Sequence, residues 1–219
     1  VKYGKKKKNP APPFITSTLQ QEASRKLGFT AKRTMTAAQM LYEGVEVKGY
    51  GTLGLITYMR TDSLRIADEA MSAAESFIKN NYGTEYLPEK PRHFKSRKSA
   101  QDAHEAIRPS TPEITPDKIK DTVPADQYKL YKLIWERFMA SQMASSLYDT
   151  VSADIKANDY IFKASGSKIC FKGFELLYVS ENDDDSVKKI PMLTEGEKLQ
   201  CSELKPEQHF TEPPARYSE

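Results

Sequence analysis

The apolar residues of this chain change their period near Tyr148, and no other feature constrains its fold as much. Before that point they recur at helical spacing. Leu19, Ala23 and Leu27 make one stripe, Met35, Ala38 and Leu41 a second, and Ile66, Ala70, Ala73, Phe77 and Ile78 a third. Tyr131, Ile134, Trp135 and Phe138 make the stripe of a longer helix, predicted from about Ala125 to Ser145. After Tyr148 the pattern alternates. Val151, Ala153 and Ile155 are interleaved with polar residues, as are Tyr160, Phe162 and Ala164, and Asn158-Asp159 is a turn signal between the two runs. Gly166-Ser167 and Gly173 punctuate further strands as far as Val179, and Leu199, Cys201 and Glu203 alternate again. A stripe buries one side of a helix and alternation buries one face of a sheet, so the fold class is α+β. Residues 1–13, rich in Lys and Pro, form an extended lead-in. The domain reading is an α-rich unit over residues 18–145, inserted into a β-rich unit made by both chain ends, residues 1–17 plus 146–219.

Punctuation inside the α-rich part is legible. Ser17 with Gln20 forms a capping box, Gly28 stops the first helix, and Thr30 caps the second. Two short helices joined at Gly28-Phe29 make a helix-turn-helix. Gly44 to Gly54 is a hairpin, residues 55–60 are a strand, and Asp62 or Ser63 caps a helix reaching about Asn80. Helices followed by such a wing make the α-rich unit winged-helix-like. Met139 and Met143 fall among core aromatics and are read as packing.

Composition excludes several classes. Hydrophobic residues at 38% and charged residues at 29% argue against wholesale disorder. No apolar run approaches the roughly 20 residues of a membrane span, and no signal-peptide pattern opens the chain, so a cytoplasmic protein without a membrane partner is expected. Cys170 and Cys201 lack metal-ligand spacing and are expected to be reduced, semi-buried thiols, although a disulfide between them remains an alternative. The net charge is only +3, but basic residues are clustered: Lys5 to Lys8, and Arg92, Lys95, Arg97 and Lys98 around His93 and Phe94. Such interleaving can neutralise phosphates and stack on a base, or simply form a solvated loop. Asp183-Asp184-Asp185 is a solvated loop tip, because consecutive carboxylates do not converge on one ion without a special turn.

The chemistry concentrates in Gly54-Leu-Ile-Thr-Tyr58-Met-Arg60-Thr-Asp62-Ser63. On a strand, Tyr58 and Arg60 project to the same side. A phenolic oxygen can then attack a phosphate while a guanidinium fork grips its non-bridging oxygens. A free phenol has a pKa of about 10, so roughly one in a thousand is ionised at neutral pH and activation is required. Arg60 supplies charge but cannot take the proton. His104 and Arg108 would share one side if residues 102–108 made a helical turn, although Pro109 biases Arg108 towards extended geometry. Glu105 can orient His104 or pair with Arg108. Thr61 can cap a helix or reach a phosphate.

These segments resemble the type IA DNA topoisomerase family. Pro13-Phe-Ile-Thr-Ser-Thr-Leu-Gln-Gln-Glu-Ala23, Arg25-Lys-Leu-Gly-Phe29, Lys32-Arg-Thr-Met35, Ala38-Gln39 and Leu41-Tyr-Glu43 resemble its leading segment. Gly54 to Ser63 resembles its active-site tyrosine motif. Ala103-His-Glu-Ala-Ile-Arg-Pro109 resembles its second signature, and Gln208 to Arg216 the run leading onward. Met59 and the form of the second signature point to the bacterial branch. The resemblance implies a cap domain carrying the tyrosine and an arch domain that hinges it. It also implies that Tyr58 is the nucleophile, that Arg60 stabilises the transition state, and that Arg60, His104, Arg108 and Thr61 contact DNA. Attack would leave a 5′-phosphotyrosyl link and a free 3′-hydroxyl, with religation independent of ATP. Magnesium would be held by the carboxylates of a Toprim domain outside this chain, so no metal ligand is expected within it. The implied partners are single-stranded segments and negatively supercoiled duplex DNA, with the Toprim and strand-binding domains of the same protein. In isolation the chain is expected to be inert. Two alternatives stand beside this: a DNA-gating module without its own chemistry, and a winged-helix transcription factor reading duplex DNA through Lys32, Arg33 and Gln39.

Overall fold

A buried helix, α5 (Ala125–Gln142), is the axis around which the other helices pack. The structure is a computed structural model and describes residues 1–95, 104–178, 191 and 193–214. Arg97, Lys98, the Asp183–Asp185 triplet, Val179 and Arg216 lie outside the described residues. In α5, Tyr131, Ile134, Trp135 and Phe138 are buried as their spacing demands, and so are Met139 and, just past the helix end, Met143. The polar ends of its aromatics are satisfied: the Tyr131 hydroxyl donates to the Ile114 carbonyl at 2.6 Å, and the Trp135 indole N–H to that of Pro112 at 2.9 Å. The helix stops three residues before the expected Ser145.

The first helix, α1 (Thr16–Leu27), begins one residue before Ser17. Its start is set by Thr18 and not by the Ser17–Gln20 box, because the Thr18 hydroxyl accepts the Ile15 N–H at 3.0 Å. Its end follows the expectation. Gly28 adopts φ 65°, and the N–H groups of Gly28 and Phe29 close back on the carbonyls of Ser24 and Ala23. A Cβ at Gly28 would meet nothing within 4 Å, so a Gly28→Ala change costs only backbone strain. That cost is about 1 kcal/mol, read as a shifted urea midpoint, and an unshifted midpoint would show that the left-handed cap is unstrained. α2 (Ala31–Glu43) is capped by Thr30, whose hydroxyl accepts the Arg33 N–H at 3.2 Å, and it buries Thr34, Ala37, Ala38 and Leu41.

A short hairpin of β2 (Val45–Val47) and β3 (Gly51–Leu53) follows in antiparallel register. The next helix, α3 (Asp68–Asn81), starts five residues beyond Ser63 and not at Asp62 or Ser63. The reason is local. The Ser63 N–H bonds the Thr61 hydroxyl and the Arg65 N–H bonds the Ser63 hydroxyl, so these side chains hold a turn that competes with a helix. Ala74, not Ala73, is the residue α3 buries beside Ala70 and Ile78. A single turn, α4 (Pro116–Ile119), leads into α5.

The β-rich part is a three-stranded antiparallel sheet in the order β1-β4-β5, built from β1 (Lys2–Lys8), β4 (Ser146–Ala157) and β5 (Tyr160–Phe171). Asn158, at φ 53°, turns β4 into β5. The N-terminal lead-in is thus a paired strand, Lys2 opposite Ser152 through Lys8 opposite Ser146, and it carries the Lys5–Lys8 run. Gly166 and Ser167 do not end a strand, since β5 runs through them opposite Val151 and Thr150. Leu199, Cys201 and Glu203 form no strand, because residues 193–214 find no partner strand among the described residues. Cys170 and Cys201 are free and exposed instead of semi-buried.

The sheet is tied to the helical part by half-buried polar links. Lys8 pairs with Glu175 at 2.7 Å, and Arg92 donates to the Ser145 hydroxyl, which donates to Asn9. Arg137 donates to the Pro12 carbonyl at 2.7 Å, with its guanidinium over the rings of Phe14 and Tyr178.

Candidate active site

Tyr58 does not lie on a strand. Between β3 and α3 only Ile56 pairs, in a single antiparallel bridge to Pro109, and the chain bends at Met59 and Arg60. Its partners come from a distant segment, residues 104–110. The Thr57 N–H donates to the Arg108 carbonyl at 3.0 Å and the Ser110 N–H to that of Leu55 at 2.9 Å. The Thr57 hydroxyl donates to the Ala106 carbonyl at 2.7 Å and accepts the Arg108 N–H at 3.0 Å. The segment ahead of α1 binds to the same frame, where Ile107 bridges Phe14 and donates its N–H to the Phe14 carbonyl at 2.8 Å.

Close backbone approach also sets the position of Tyr58. A Cβ on Gly54 would lie 2.7 Å from the Tyr42 carbonyl oxygen, so only glycine lets the end of β3 pass the end of α2. The Leu55 N–H then reaches the Leu41 carbonyl at 2.7 Å. As a result the Tyr42 ring meets the Tyr58 ring edge-on, with centroids 5.4 Å apart. His104 flanks Tyr58 with ring centroids 5.6 Å apart.

Tyr58 and Arg60 do share the solvent side, for a reason other than strand alternation. Met59 is fully buried and Thr61 is 6% exposed, so these two anchor the bend and leave Tyr58, at 36%, and Arg60 outside. Arg60 makes no hydrogen bond or ion pair among the described residues. Its five donors are therefore open to an anion.

The other sequence candidates are placed differently. Residues 104–108 are extended and not a helical turn, because Ile107 and Pro109 pair with Phe14 and Ile56. His104 reaches Tyr58, whereas the Arg108 guanidinium turns to Glu105 at 2.7 Å and to the Pro109 carbonyl at 3.0 Å, with a side chain only 12% exposed. Of the two roles open to Glu105, pairing with Arg108 is realised, and Arg65 approaches the same carboxylate at 3.9 Å. The Thr61 hydroxyl points inward and accepts the Ser63 N–H at 3.0 Å. Among the described residues no three His, Cys, Asp or Glu side chains converge as metal ligands.

Sequence reasoning did not place Tyr42 in the site, although its position just off the Leu41 stripe marks it as an outward-facing aromatic. It also passed over Thr16. The Thr16 hydroxyl donates to the Met59 carbonyl at 2.7 Å and accepts the Thr61 N–H at 2.9 Å, while its own N–H donates to the Thr61 carbonyl at 2.9 Å.

An exposed tyrosine near a histidine and an arginine that has no partner among the described residues is suited to gripping and attacking a phosphate. Full-length topoisomerase I from Thermotoga maritima has a structure similar to this chain, with a TM-score of 0.74 and 42% sequence identity. The match covers 88% of this chain and 30% of that protein, so this chain spans less than a third of its length. The sequence profile of the DNA topoisomerase family matches residues 1–219. The chain belongs to the DNA topoisomerase family, in its bacterial type IA branch.

Proposed function

We propose that this chain carries the nucleophile of a type IA topoisomerase that relaxes negatively supercoiled DNA by cutting one strand, passing another and resealing the first. The observation that carries the reading is the exposed Tyr58 beside Arg60, a guanidinium with no partner among the described residues. The Tyr58 oxygen attacks the scissile phosphorus and the bond to the 3′-oxygen breaks. The phenol gives up its proton and the departing 3′-oxygen gains one. One ester replaces another, so the bond is kept for religation and ATP is not needed. Arg60 binds the non-bridging oxygens and holds the phosphate in line with the attack. His104, beside the Tyr58 ring, contacts the same strand. Arg108 and Thr61, which point into the protein, serve by bracing the segments that carry His104 and Arg60.

Magnesium is assigned to carboxylates of a Toprim domain elsewhere in the longer protein. The chain by itself is expected to contact single-stranded DNA without cutting it. Its site of action is the cytoplasmic nucleoid. A duplex-reading role is disfavoured because Arg33, on the second helix of the helix-turn-helix, is spent on a bidentate pair with Asp126 at 2.7 Å and lies over Phe29.

The polarity of the covalent link tests the reading. With the full-length protein, magnesium and a single-stranded oligonucleotide, label placed 3′ of the cut should become protein-bound while 5′ label is released. The reverse partition would exclude a 5′-phosphotyrosyl link and with it this assignment.

A further inference from the structure

Arg60 can hold a phosphate in line only if its backbone is fixed, because an exposed side chain on a bend inherits every movement of the two peptide units that flank it. Those units are held by one side chain. The carbonyl of Met59 belongs to the peptide before Arg60 and the N–H of Thr61 to the peptide after it. Both meet the hydroxyl of Thr16, at 2.7 and 2.9 Å. The Thr16 N–H adds a third bond, to the Thr61 carbonyl at 2.9 Å. Thr16 stands in the first turn of α1, anchored by the buried Phe14 and Leu19 on either side. Tyr58, by contrast, is held from its other side, through Thr57 and the segment 104–110.

We infer that Thr16 is a positioning residue for Arg60: its hydroxyl pins both peptide units around that arginine and so aims the guanidinium at the scissile phosphate. The inference rests on the proposed roles of Tyr58 and Arg60. A hydroxyl is required because one group must donate to a carbonyl and accept from an N–H at the same time. Valine has nearly the shape of threonine but neither capacity. Losing the clamp would free the bend without opening a cavity.

The test is single-turnover cleavage of an end-labelled oligonucleotide by the full-length protein. Thr16→Val should slow cleavage about 10- to 30-fold, because small misplacements of a gripping group cost that much or more. Thr16→Ser, which keeps the hydroxyl, should stay within about threefold of the wild type. The decisive comparison is a double-mutant cycle with Arg60→Lys. A lysine is a point charge on a flexible stem and needs less exact aim, so Thr16→Val should cost less than about threefold in that background. Should Thr16→Val fail to fold, Thr16→Cys takes its place, keeping the bulk while weakening the hydrogen bonds. Equal losses in the wild-type and Arg60→Lys backgrounds would overturn the inference, as would a Thr16→Ser variant as slow as Thr16→Val. Tyr58→Phe separates the two levels. An adduct that persists in it removes the underlying reading, whereas an adduct that vanishes there while Thr16→Val cuts at full speed removes only the role of Thr16.

Discussion

Tyr58→Phe is expected to abolish the covalent protein–DNA adduct, lowering cleavage by at least about 10⁴-fold, because no other atom on that ring can replace the attacking oxygen. Its fold should be untouched. The Tyr58 hydroxyl makes no hydrogen bond among the described residues, and phenylalanine keeps the edge-on contact with Tyr42 and the contact with His104. Stability should therefore remain within about 0.5 kcal/mol of the wild type. Affinity for a single strand, measured without magnesium, should also persist, since Arg60 and His104 are unchanged. Tyr42 is the natural control, being the next phenol along. If the adduct survived in Tyr58→Phe and vanished in Tyr42→Phe, the nucleophile would have to be reassigned by one ring.

Phe14→Ala is expected to cost about 3–5 kcal/mol, the range for emptying a fully buried phenylalanine site. For a chain of this size that corresponds to a melting temperature lower by roughly 6–20 °C. Phe14 is completely buried, its backbone bridges Ile107, and its ring lies 4.9 Å from the Arg137 guanidinium. Removal leaves a cavity and also strips one aromatic face from a mostly buried cation. Phe14→Leu should recover more than half of the loss. A shift of under about 1 kcal/mol for the alanine variant, with an unchanged denaturant slope, would show that the segment ahead of α1 is not integral to the core.

Much of this architecture could be read from residues whose signals are local. Gly28 and Thr30 punctuate α1 and α2 because capping involves only neighbours a few residues away. The α5 stripe and the Asn158 turn were legible for the same reason. The misreadings share the opposite cause. Residues 55–60 look like a strand, yet their partners sit near Ile107 and Phe14, about fifty residues ahead and forty behind, and supply one bridge where a ladder would be needed. The late start of α3 depends on two side-chain turns at Thr61 and Ser63 that propensity does not reveal. Leu199 to Glu203 alternates well enough for a strand, but alternation cannot show whether a partner exists. Within the candidate site, Tyr58 and Arg60 were singled out by the resemblance of the whole decapeptide around them, since a Tyr-x-Arg pair alone carries little signal. Tyr42 and Thr16 were not, since what matters about each is a contact across the fold.

Phe14 and Thr16 reach two separate stretches of chain: one bridges Ile107, beside His104, and the other clamps the bend that carries Arg60. Tyr58 and Arg60, the proposed nucleophile and phosphate grip, and the neighbouring His104 are thereby mounted on a single chassis. If Tyr58 holds a DNA end covalently as proposed and that end is carried away to open a gap, the attacking groups would travel with their cargo instead of being left behind. Resealing would then require only that the free 3′-hydroxyl be brought back to a receptor whose interior alignment had never been disturbed. Fidelity of rejoining would become a matter of docking, not of reassembly.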